Sequence, residues 1–580
     1  MTSQTASHLP RALALLLVMT SAGACYQGGR EGETDDGLSG ASSGASTTAG
    51  DDTDGGDTDT GSDTVGDYDF KPAPSSLRLL LARHYTNAVR DLLGDAAAAV
   101  VEPPEDSAIN GFEAVAAAQL ALSDAAVQAY EDSARAAAAA SIANPGKLAT
   151  YLGCTPIGPE DAACHEQFIR AFGRMAFRRP LTEEEVALYL DVAQTTALDA
   201  GDFMVGIEYA VASFLQSPFF LYQVELGVPD KDDPTIHRLT GYELASRLSF
   251  FLLDTTPDAN LLDAAEAGVL DSAEGVRNAA EFMLTRPEAQ VALSNFYAEL
   301  LRLRELDSLP KDPLVFAEWS PALAAAFREE TVRTIEDIVW QQDGDIRDML
   351  DTPFTFANKT LADFYGLAHP SGGQFGDAFL KVPLPDAHKR GGIFGQGSFL
   401  SLFAHISSTS PTLRGKFVRE VLMCEAIPAP PPGVMTNLPP LGQDTPTMRD
   451  RLELHMSDEG CAICHKLMDP IGFGLENYDG IGRFRTVENG VEINTQSEVD
   501  GVGAFDGARQ LGQVLRGEPE VSMCMVRNLF RHGTGHIETK GEVGPLAEVD
   551  ADFIDDGYRM QAMIIDLVAS ESFRSVGEPN

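Results

Sequence analysis

Seven cysteines and their spacing constrain this chain more than any other feature of the sequence. Cys461 and Cys464 are separated by two residues, and His465 follows directly, which makes the pattern C-x-x-C-H. This pattern is the attachment signature for c-type haem, since two thiols along one helical turn match the two haem vinyl groups and the next imidazole faces the iron. We therefore predict one covalent haem c, bound by Cys461 and Cys464 through thioether bonds and by His465 as the proximal iron ligand.

Two other interpretations of this motif stay open. A redox-active dithiol would share the C-x-x-C spacing, but the sequence around it lacks a thioredoxin-type strand context. Half of a zinc site would need a second closely spaced pair of Cys or His residues, and the usual pattern is not found. Haem is the interpretation that the sequence favours.

The ligand on the opposite face of the haem is not determined by spacing. Met468 follows His465 by three residues and falls on the same side of the haem plane, so the ligand must come from farther away. A filled position favours electron transfer, and a vacant one favours peroxide or oxygen chemistry. The candidates are His405, His455, Met523, Met525, His532 and His536.

Four further cysteines are predicted to form disulfides, because the chain carries signs of export to an oxidising compartment. Cys154 and Cys164 are close in sequence and form the natural local pair. Cys424 and Cys524 then pair by elimination, and their bond would connect the segment before the haem motif to the segment after it.

The N-terminal segment has the features of an export signal. Arg11 precedes an apolar run over residues 12–19, small residues occupy 21–24, and Cys25 follows them. The run is too short for a membrane helix, and small residues directly before a cysteine resemble a bacterial lipobox. Residues 1–25 are therefore predicted to be a lipoprotein-type signal with Cys25 as the lipidated residue, and ordinary cleavage near Cys25 is the alternative.

Residues 26–68 consist mainly of Gly, Ser, Thr and Asp and contain few apolar residues. Such a segment cannot bury enough surface to fold, so we predict a disordered acidic tether. We expect the protein in the cell envelope, on the periplasmic or surface side, anchored to the membrane by its lipid. The whole chain has 42 basic and 87 acidic residues, which argues against nucleic acid as a partner because phosphate binding needs a basic face.

Sequence patterns after the tether predict a mainly α-helical body. Apolar residues recur at helical spacing over 185–192, 205–226 and 323–349. The Ala-rich stretch 114–143 is broken by charged residues, which favours a pair of soluble helices. The Asp-Pro pair at 469–470 is expected to turn the chain out of the haem helix.

Local signals also predict where some elements begin or turn. Thr182 with Glu185 and Thr240 with Glu243 have the T-x-x-E spacing of capping boxes, which mark the first turn of a helix. An exception to the helical pattern comes late, where the Asn-Gly pair at 489–490 stands between alternating apolar residues. This predicts a small β-hairpin with a type I′ turn.

Nine short motifs follow one another along the folded region. They are RHYTNAVRDLLG at 83–94, FGRMAFRRPLTE at 172–183, LQSPFFLY at 215–222, YELASRLSFF at 242–251, RGGIFGQGSFL at 390–400, TSPTLRGK at 409–416, MDPIGFGLENYD at 468–479, FDG at 505–507 and CMVRNLFRHGTG at 524–535. In this order they resemble the multidomain bacterial family built around the domain of unknown function 1592, with its associated modules 1587, 1595, 1588 and 1585. The chain departs from the family at Gly535-His536, where Gly-Arg is usual.

The resemblance implies a series of helical modules with a planctomycete-type cytochrome c segment. The expected modules are an N-terminal helical module at 69–150, a short helical module with the Arg-Arg-Pro motif at 151–200, a central helical module at 201–345, a cytochrome c-like module with the haem motif at 346–480 and a C-terminal module at 481–580.

The family has no agreed biochemical activity, so the resemblance supplies no catalytic residues. The leading hypothesis is an exported, lipid-anchored monohaem c-type cytochrome that transfers electrons in the cell envelope to a redox partner protein, and that could belong to a larger envelope complex. One alternative is a haem-dependent oxidative or peroxidase-type enzyme, which would need an open iron face opposite His465. The other is an envelope polymer-binding or scaffold protein in which the haem has a minor role.

Overall fold

Helices dominate the part of the chain that the computed structural model describes, which comprises residues 69–428, 438–439, 442–499 and 501–579. The predicted signal at 1–25, with Cys25, and the predicted tether at 26–68 lie outside these described residues. The expectation of a mainly α-helical body is confirmed. Within the described ranges, no helix combines the length and the apolar character that a membrane crossing requires.

The first half of the described chain contains thirteen α-helices. They are α1 (Ala82–Leu93), α2 (Asp95–Ala98), α3 (Glu113–Gln119), α4 (Asp124–Ala143), α5 (Ala149–Leu152), α6 (Ala162–Phe177), α7 (Glu183–Ala200), α8 (Phe203–Leu215), α9 (Pro218–Leu221), α10 (Gly241–Leu253), α11 (Ala259–Glu266), α12 (Ala273–Leu284) and α13 (Pro287–Leu300).

Twelve more follow in the second half of the described chain. They are α14 (Pro321–Glu336), α15 (Asp348–Asp351), α16 (Lys359–Tyr365), α17 (Gly397–Leu402), α18 (Pro411–Phe417), α19 (Met448–His455), α20 (Glu459–Phe473), α21 (Ala508–Leu515), α22 (Pro519–Thr534), α23 (Val543–Asp555), α24 (Met560–Ala569) and α25 (Glu571–Arg574).

Short strands form small antiparallel sheets between the helices. They are β1 (Ser76–Leu79), β2 (Tyr222–Glu225), β3 (Val228–Pro229), β4 (Ile236–Arg238), β5 (Phe354–Ala357), β6 (Leu380–Pro383), β7 (Val487–Glu488), β8 (Val491–Glu492), β9 (Gln496–Val499), β10 (Gly503–Asp506) and β11 (Ser575–Gly577). The pairs are β1 with β2, β5 with β6, β7 with β8 and β9 with β10, and β4 lies between β11 and β3. The β4–β11 pairing fastens the C-terminal strand to the middle of the chain.

The local signals in the sequence are confirmed where the structure describes them. Thr182 and Thr240 accept the backbone N–H groups of Glu185 and Glu243, whose side chains accept in return, so both capping boxes form. The Ala-rich stretch forms the helix pair α3 and α4. At 489–490 both residues have positive φ, as a type I′ turn requires, and the turn joins β7 to β8.

Two of the predicted helical stretches are wrong at their C-terminal ends. Within the stretch 205–226, α8 ends at Leu215 and the short helix α9 ends at Leu221. The chain then becomes β2, which pairs with β1. The stretch 323–349 leaves α14 through a π-helical turn at Asp337–Gln341, and Asp343 then adopts a positive φ. Apolar residues continue past both breaks, and several of them stay buried in other elements, as Phe220 and Leu221 do in α9 and Ile346 and Met349 do after the π-helical turn. Periodicity alone does not distinguish such residues from a continuing helix.

Buried apolar side chains form two large clusters and one small one. One large cluster joins α1, α4 and α6–α9, and the other extends from Phe112 to Val576 through the central and C-terminal helices. The small cluster contains Met448, Leu452 and Phe473, and it fixes α19 against α20, the helix with the C-x-x-C-H motif.

A buried acid lies within the second large cluster. Glu330 is fully buried on α14, where Thr355 donates to Oε1 at 2.5 Å and the Tyr365 hydroxyl donates to Oε2 at 2.7 Å. Burial outweighs these two hydrogen bonds and raises the pKa of Glu330 to about 7. The folded protein therefore keeps a proton that the unfolded chain loses near pH 4.5.

We expect this proton to make stability fall as the pH rises. A carboxyl whose folded pKa is raised contributes stability that is complete below its unfolded pKa and is lost as the pH rises through its folded pKa. Between pH 4.5 and 7 the wild type should lose at most about 3 kcal/mol relative to Glu330→Gln, which keeps an uncharged side chain of the same shape. Denaturant unfolding of both proteins at pH 5 and pH 7.5 measures this difference, and parallel pH profiles would contradict the assignment.

Candidate functional site

The C-x-x-C-H motif lies in the first two turns of α20. Asp458 begins this helix, and its side chain accepts the backbone N–H of Gly460 at 2.8 Å. Helical geometry then places Cys461, Cys464 and His465 along one stripe, because residues three and four apart are neighbours on a helix surface. The motif is therefore presented from a regular helix with a capped N-terminus.

The cysteines of the motif differ from the other described cysteines in their bonding. Cys461 and Cys464 are free, while Cys154 is bonded to Cys164 and Cys424 to Cys524, which confirms both predicted disulfides. Cys461 is buried, and burial together with nearby Asp458 raises the pKa of its thiol. Cys464 is more exposed, and its Sγ lies 3.4 Å from the carbonyl oxygen of Pro428.

His465 is held by a hydrogen-bonded chain of three side chains. Its Nδ1 lies 2.8 Å from Oδ2 of Asp469, one helical turn farther along α20. The other carboxylate oxygen, Oδ1, accepts the hydroxyl of Thr412 on α18 at 2.7 Å. Asp469 is fully buried, and no described residue bonds to Nε2 of His465. The arrangement therefore leaves one ring nitrogen available for a ligand.

Two glycines allow α18 to approach α20 closely enough for this chain of contacts. A β-carbon on Gly415 would lie 1.9 Å from the Met468 carbonyl oxygen, and one on Gly472 would lie 2.1 Å from that of Pro411. Any larger residue at either position would push the helices apart. The expected turn at the Asp-Pro pair is wrong, because Pro470 lies inside α20, which continues to Phe473.

A buried ion pair joins α18 to the C-terminal end of α20. Arg414 of α18 is fully buried and donates to Glu476, just past the end of α20, at 3.3 Å. Glu476 also accepts from Arg485 at 3.1 Å and from the Thr409 hydroxyl at 2.9 Å. Burial raises the pKa of Glu476 despite these donors. The segment around the motif is thus fixed by polar contacts as well as by packing.

Among the six distal candidates, His455 contacts His465. The ring centroids are 4.8 Å apart and the ring planes are nearly perpendicular. Burial and then the neighbouring His465 ring lower the pKa of His455. Metal–imidazole bonds of about 2 Å on each side of one iron would separate two ring centroids by more than this distance. His455 would therefore have to move before it could bind the face opposite His465.

The other five candidates lie in different surroundings. His405 is exposed and lies within electrostatic reach of Lys311 and of Arg451 on α19. The remaining four belong to α22 or follow it. Met523 is half-buried against the central core, and Met525 is buried beside Met349. Nδ1 of His532 lies 3.5 Å from Oε2 of Glu299, and Nε2 of His536 lies 3.0 Å from Oε1 of Glu542. For these five, the distal role stays a prediction.

The local geometry gives little support to a redox dithiol or a zinc site at the motif. Cys461 and Cys464 are not bonded to each other, and both lie on a helix rather than after a strand. No group of three or more His, Cys, Asp or Glu residues in the described chain is arranged to bind a metal ion. A zinc site at the motif therefore has no complete set of described ligands.

Sequence reasoning missed Asp469 and Thr412 as parts of the site. The signal for Asp469 was present, because an acid four residues after a histidine lies on the same face of a helix. Thr412 carries no comparable signal, since its position beside Asp469 depends on how α18 packs against α20.

Five family models match successive parts of the chain, and each is described as a protein of unknown function. They are DUF1587 at residues 78–143, DUF1595 at 164–225, DUF1592 at 239–367, DUF1588 at 390–488 and DUF1585 at 503–573. The match at 390–488 contains the C-x-x-C-H motif and carries the family name PSCyt3, which suggests a planctomycete cytochrome-like segment.

Neither a curated protein nor a solved structure matches the chain at a significant level. The assignment of the chain to a family therefore rests on the five family models. They occur in one continuous series, agree with the motifs found in the sequence, and cover most of the chain between residues 78 and 573. The chain belongs to the multidomain family of planctomycete-type proteins of unknown function that is built around DUF1592.

Proposed function

We propose that this protein is an exported, lipid-anchored, monohaem c-type cytochrome-like protein that transfers electrons in the cell envelope. The observation that carries the proposal is how the two cysteines and the histidine of the C-x-x-C-H motif are bonded. Cys461 and Cys464 keep free thiols while the other four described cysteines are paired, and His465 has Nδ1 bonded to Asp469 and Nε2 free of described partners.

The motif residues fit a covalent haem. Cys461 and Cys464 would hold it through thioether bonds, and His465 would bind its iron through Nε2. When bound, a c-type haem supplies reversible one-electron chemistry at its iron. The hydrogen bond to Asp469 selects the imidazole tautomer with the proton on Nδ1, which leaves a lone pair on Nε2.

The surface around the motif also fits an apolar cofactor. On α19 and α20 three apolar side chains are exposed, with relative exposures of 51% for Leu454, 66% for Ile463 and 37% for Leu467. Ile463 and Leu467 are four residues apart on α20 and are therefore neighbours on its surface, and exposed apolar neighbours can mark a site that a ligand or partner covers. Leu467 follows Cys464 by three residues on the same helix, so a haem attached at Cys464 would lie beside it.

Export is supported by the two disulfides. Disulfides form and persist outside the cytoplasm, and this chain has two, at Cys154–Cys164 and Cys424–Cys524. Haem attachment to C-x-x-C-H would take place in the same compartment. Cys25 would carry the lipid, and residues 26–68 would connect it to the folded body. A formal charge of −45 favours a redox partner with a basic surface.

The proposal predicts covalent haem that depends on the two free cysteines. The full chain is produced in a host competent for c-type maturation, as wild type and as Cys461→Ala/Cys464→Ala. We expect one haem per chain in the wild type and none in the double variant, because both thioether bonds are lost. Haem-stained denaturing gels and pyridine haemochrome spectra measure the covalent cofactor.

The matched control is Cys154→Ala/Cys164→Ala, which also removes two cysteines but leaves the motif intact. It should keep its haem. A wild type without covalent haem would sink the proposal, and so would a Cys461→Ala/Cys464→Ala variant that stains as strongly as the control.

A further inference from the structure

Among the residues that the structure describes, Asp469 is the one whose charged side chain bonds directly to the candidate iron ligand His465. It is fully buried, so water does not screen its charge. Oδ2 lies 2.8 Å from Nδ1 of His465, and Oδ1 accepts the Thr412 hydroxyl at 2.7 Å. Both carboxylate oxygens are therefore hydrogen-bonded, one to the imidazole and one to a neutral donor on the neighbouring helix.

We propose that Asp469 is a positioning residue that orients the His465 imidazole and lowers the reduction potential of the haem bound there. The inference rests on the proposed function, since it concerns a haem at Cys461 and Cys464. It goes beyond that function because it assigns a low-potential site, which suits electron donors that are themselves strongly reducing.

The orienting effect follows from the geometry. A histidine ligand whose second nitrogen is unbonded can rotate about its side-chain bonds, whereas His465 is fixed by a residue on its own helix. The Thr412 contact fixes the carboxylate in turn. The ring plane is thereby set by the packing of α18 on α20.

The effect on potential follows from charge. A carboxylate that accepts the Nδ1 proton makes the imidazole a stronger donor to a metal bound at Nε2. A stronger donor, with a buried negative charge nearby, stabilises the more highly charged oxidised iron over the reduced iron. Reduction therefore becomes less favourable, and the potential falls.

Thr412 should act in the opposite direction. Its hydroxyl donates to Oδ1 and withdraws negative charge from the carboxylate. Without this donor, Asp469 becomes a better acceptor for the imidazole proton and the donor strength of His465 increases. Variants at the two positions are thus expected to shift the potential with opposite signs, which a purely structural role for either residue would not produce.

The test is a spectroelectrochemical titration of the full, haem-loaded protein. Asp469→Asn keeps the shape of the side chain and an oxygen that can accept from Nδ1, but removes the charge. We expect it to raise the redox equilibrium constant about tenfold, which is about 59 mV for one electron. Thr412→Val should lower the potential by a smaller amount. The control Glu453→Gln removes an exposed negative charge from α19 and should stay close to wild type.

The outcomes separate the two proposals. A wild type without covalent haem would overturn the proposed function and this inference with it. Covalent haem with equal potentials in the wild type and Asp469→Asn would overturn this inference alone, as would an equal rise in Glu453→Gln. If Asp469→Asn does not accumulate, Thr412→Val decides, because a lower potential supports the assignment and an unchanged or higher one contradicts it.

Discussion

Replacing Arg414 by methionine is expected to lower the free energy of unfolding by about 3–5 kcal/mol, because one partner of a buried ion pair is removed while the other stays buried. Arg414 is fully buried and bonds to Glu476. It also donates to several backbone carbonyls around the end of α20, which would lose this donor. These carbonyls belong to Leu400, Leu475, Tyr478 and Asp479.

Denaturant unfolding of the wild type and of Arg414→Met measures the loss. The matched control is Arg483→Met, which removes an arginine paired with Glu318 on the surface, where both side chains are about half exposed. Exposed pairs contribute about 0–1 kcal/mol, so this variant should unfold close to wild type. Equal losses in the two variants would show that the buried pair does not stabilise the helix pair α18–α20.

Features of the fold that depend on neighbouring residues could be predicted from the sequence. The capping boxes at Thr182 and Thr240 and the turn at 489–490 each follow from a few adjacent side chains with a known backbone preference. The cysteine pairs could also be predicted, because few partners remain once the motif residues are set aside. In these cases the local chemistry leaves one favourable arrangement.

Features that depend on distant residues could not be predicted in the same way. The segment at 222–225 follows apolar residues with helical spacing, yet it forms β2, whose partner β1 is almost 150 residues earlier in the chain. The last residue of β2, Glu225, is buried in ion pairs with Arg78 and Arg247, which also lie elsewhere in the sequence. The choice of strand over helix is made by these tertiary contacts.

Pro470 shows a local rule that tertiary packing overrides. A proline inside a helix removes one backbone hydrogen bond, which predicts that α20 ends before it. Here the carbonyl that loses its donor belongs to Lys466, an exposed residue. After the proline, Gly472 packs closely against Pro411 of α18. The helix therefore continues, and Asp469 stays one turn after His465.

Replacing both Cys424 and Cys524 by alanine is expected to destabilise the protein more than replacing Cys154 and Cys164. The first bond joins residues 100 apart in sequence and the second joins residues 10 apart. A crosslink stabilises mainly by restricting the unfolded chain, so the estimated loss is about 4.7 kcal/mol for the long loop and about 2.7 kcal/mol for the short one.

The long loop contains α19, α20 and the whole C-x-x-C-H motif, so its closure also limits how far these helices can separate from α22 in a partly unfolded chain. Thermal unfolding of the two oxidised double variants beside the wild type measures the difference. A larger loss for Cys154→Ala/Cys164→Ala would contradict the loop argument. A larger loss for Cys424→Ala/Cys524→Ala that disappears when all proteins are compared in the presence of a reductant would assign the effect to the crosslink, because then the wild type no longer has a closed loop to lose.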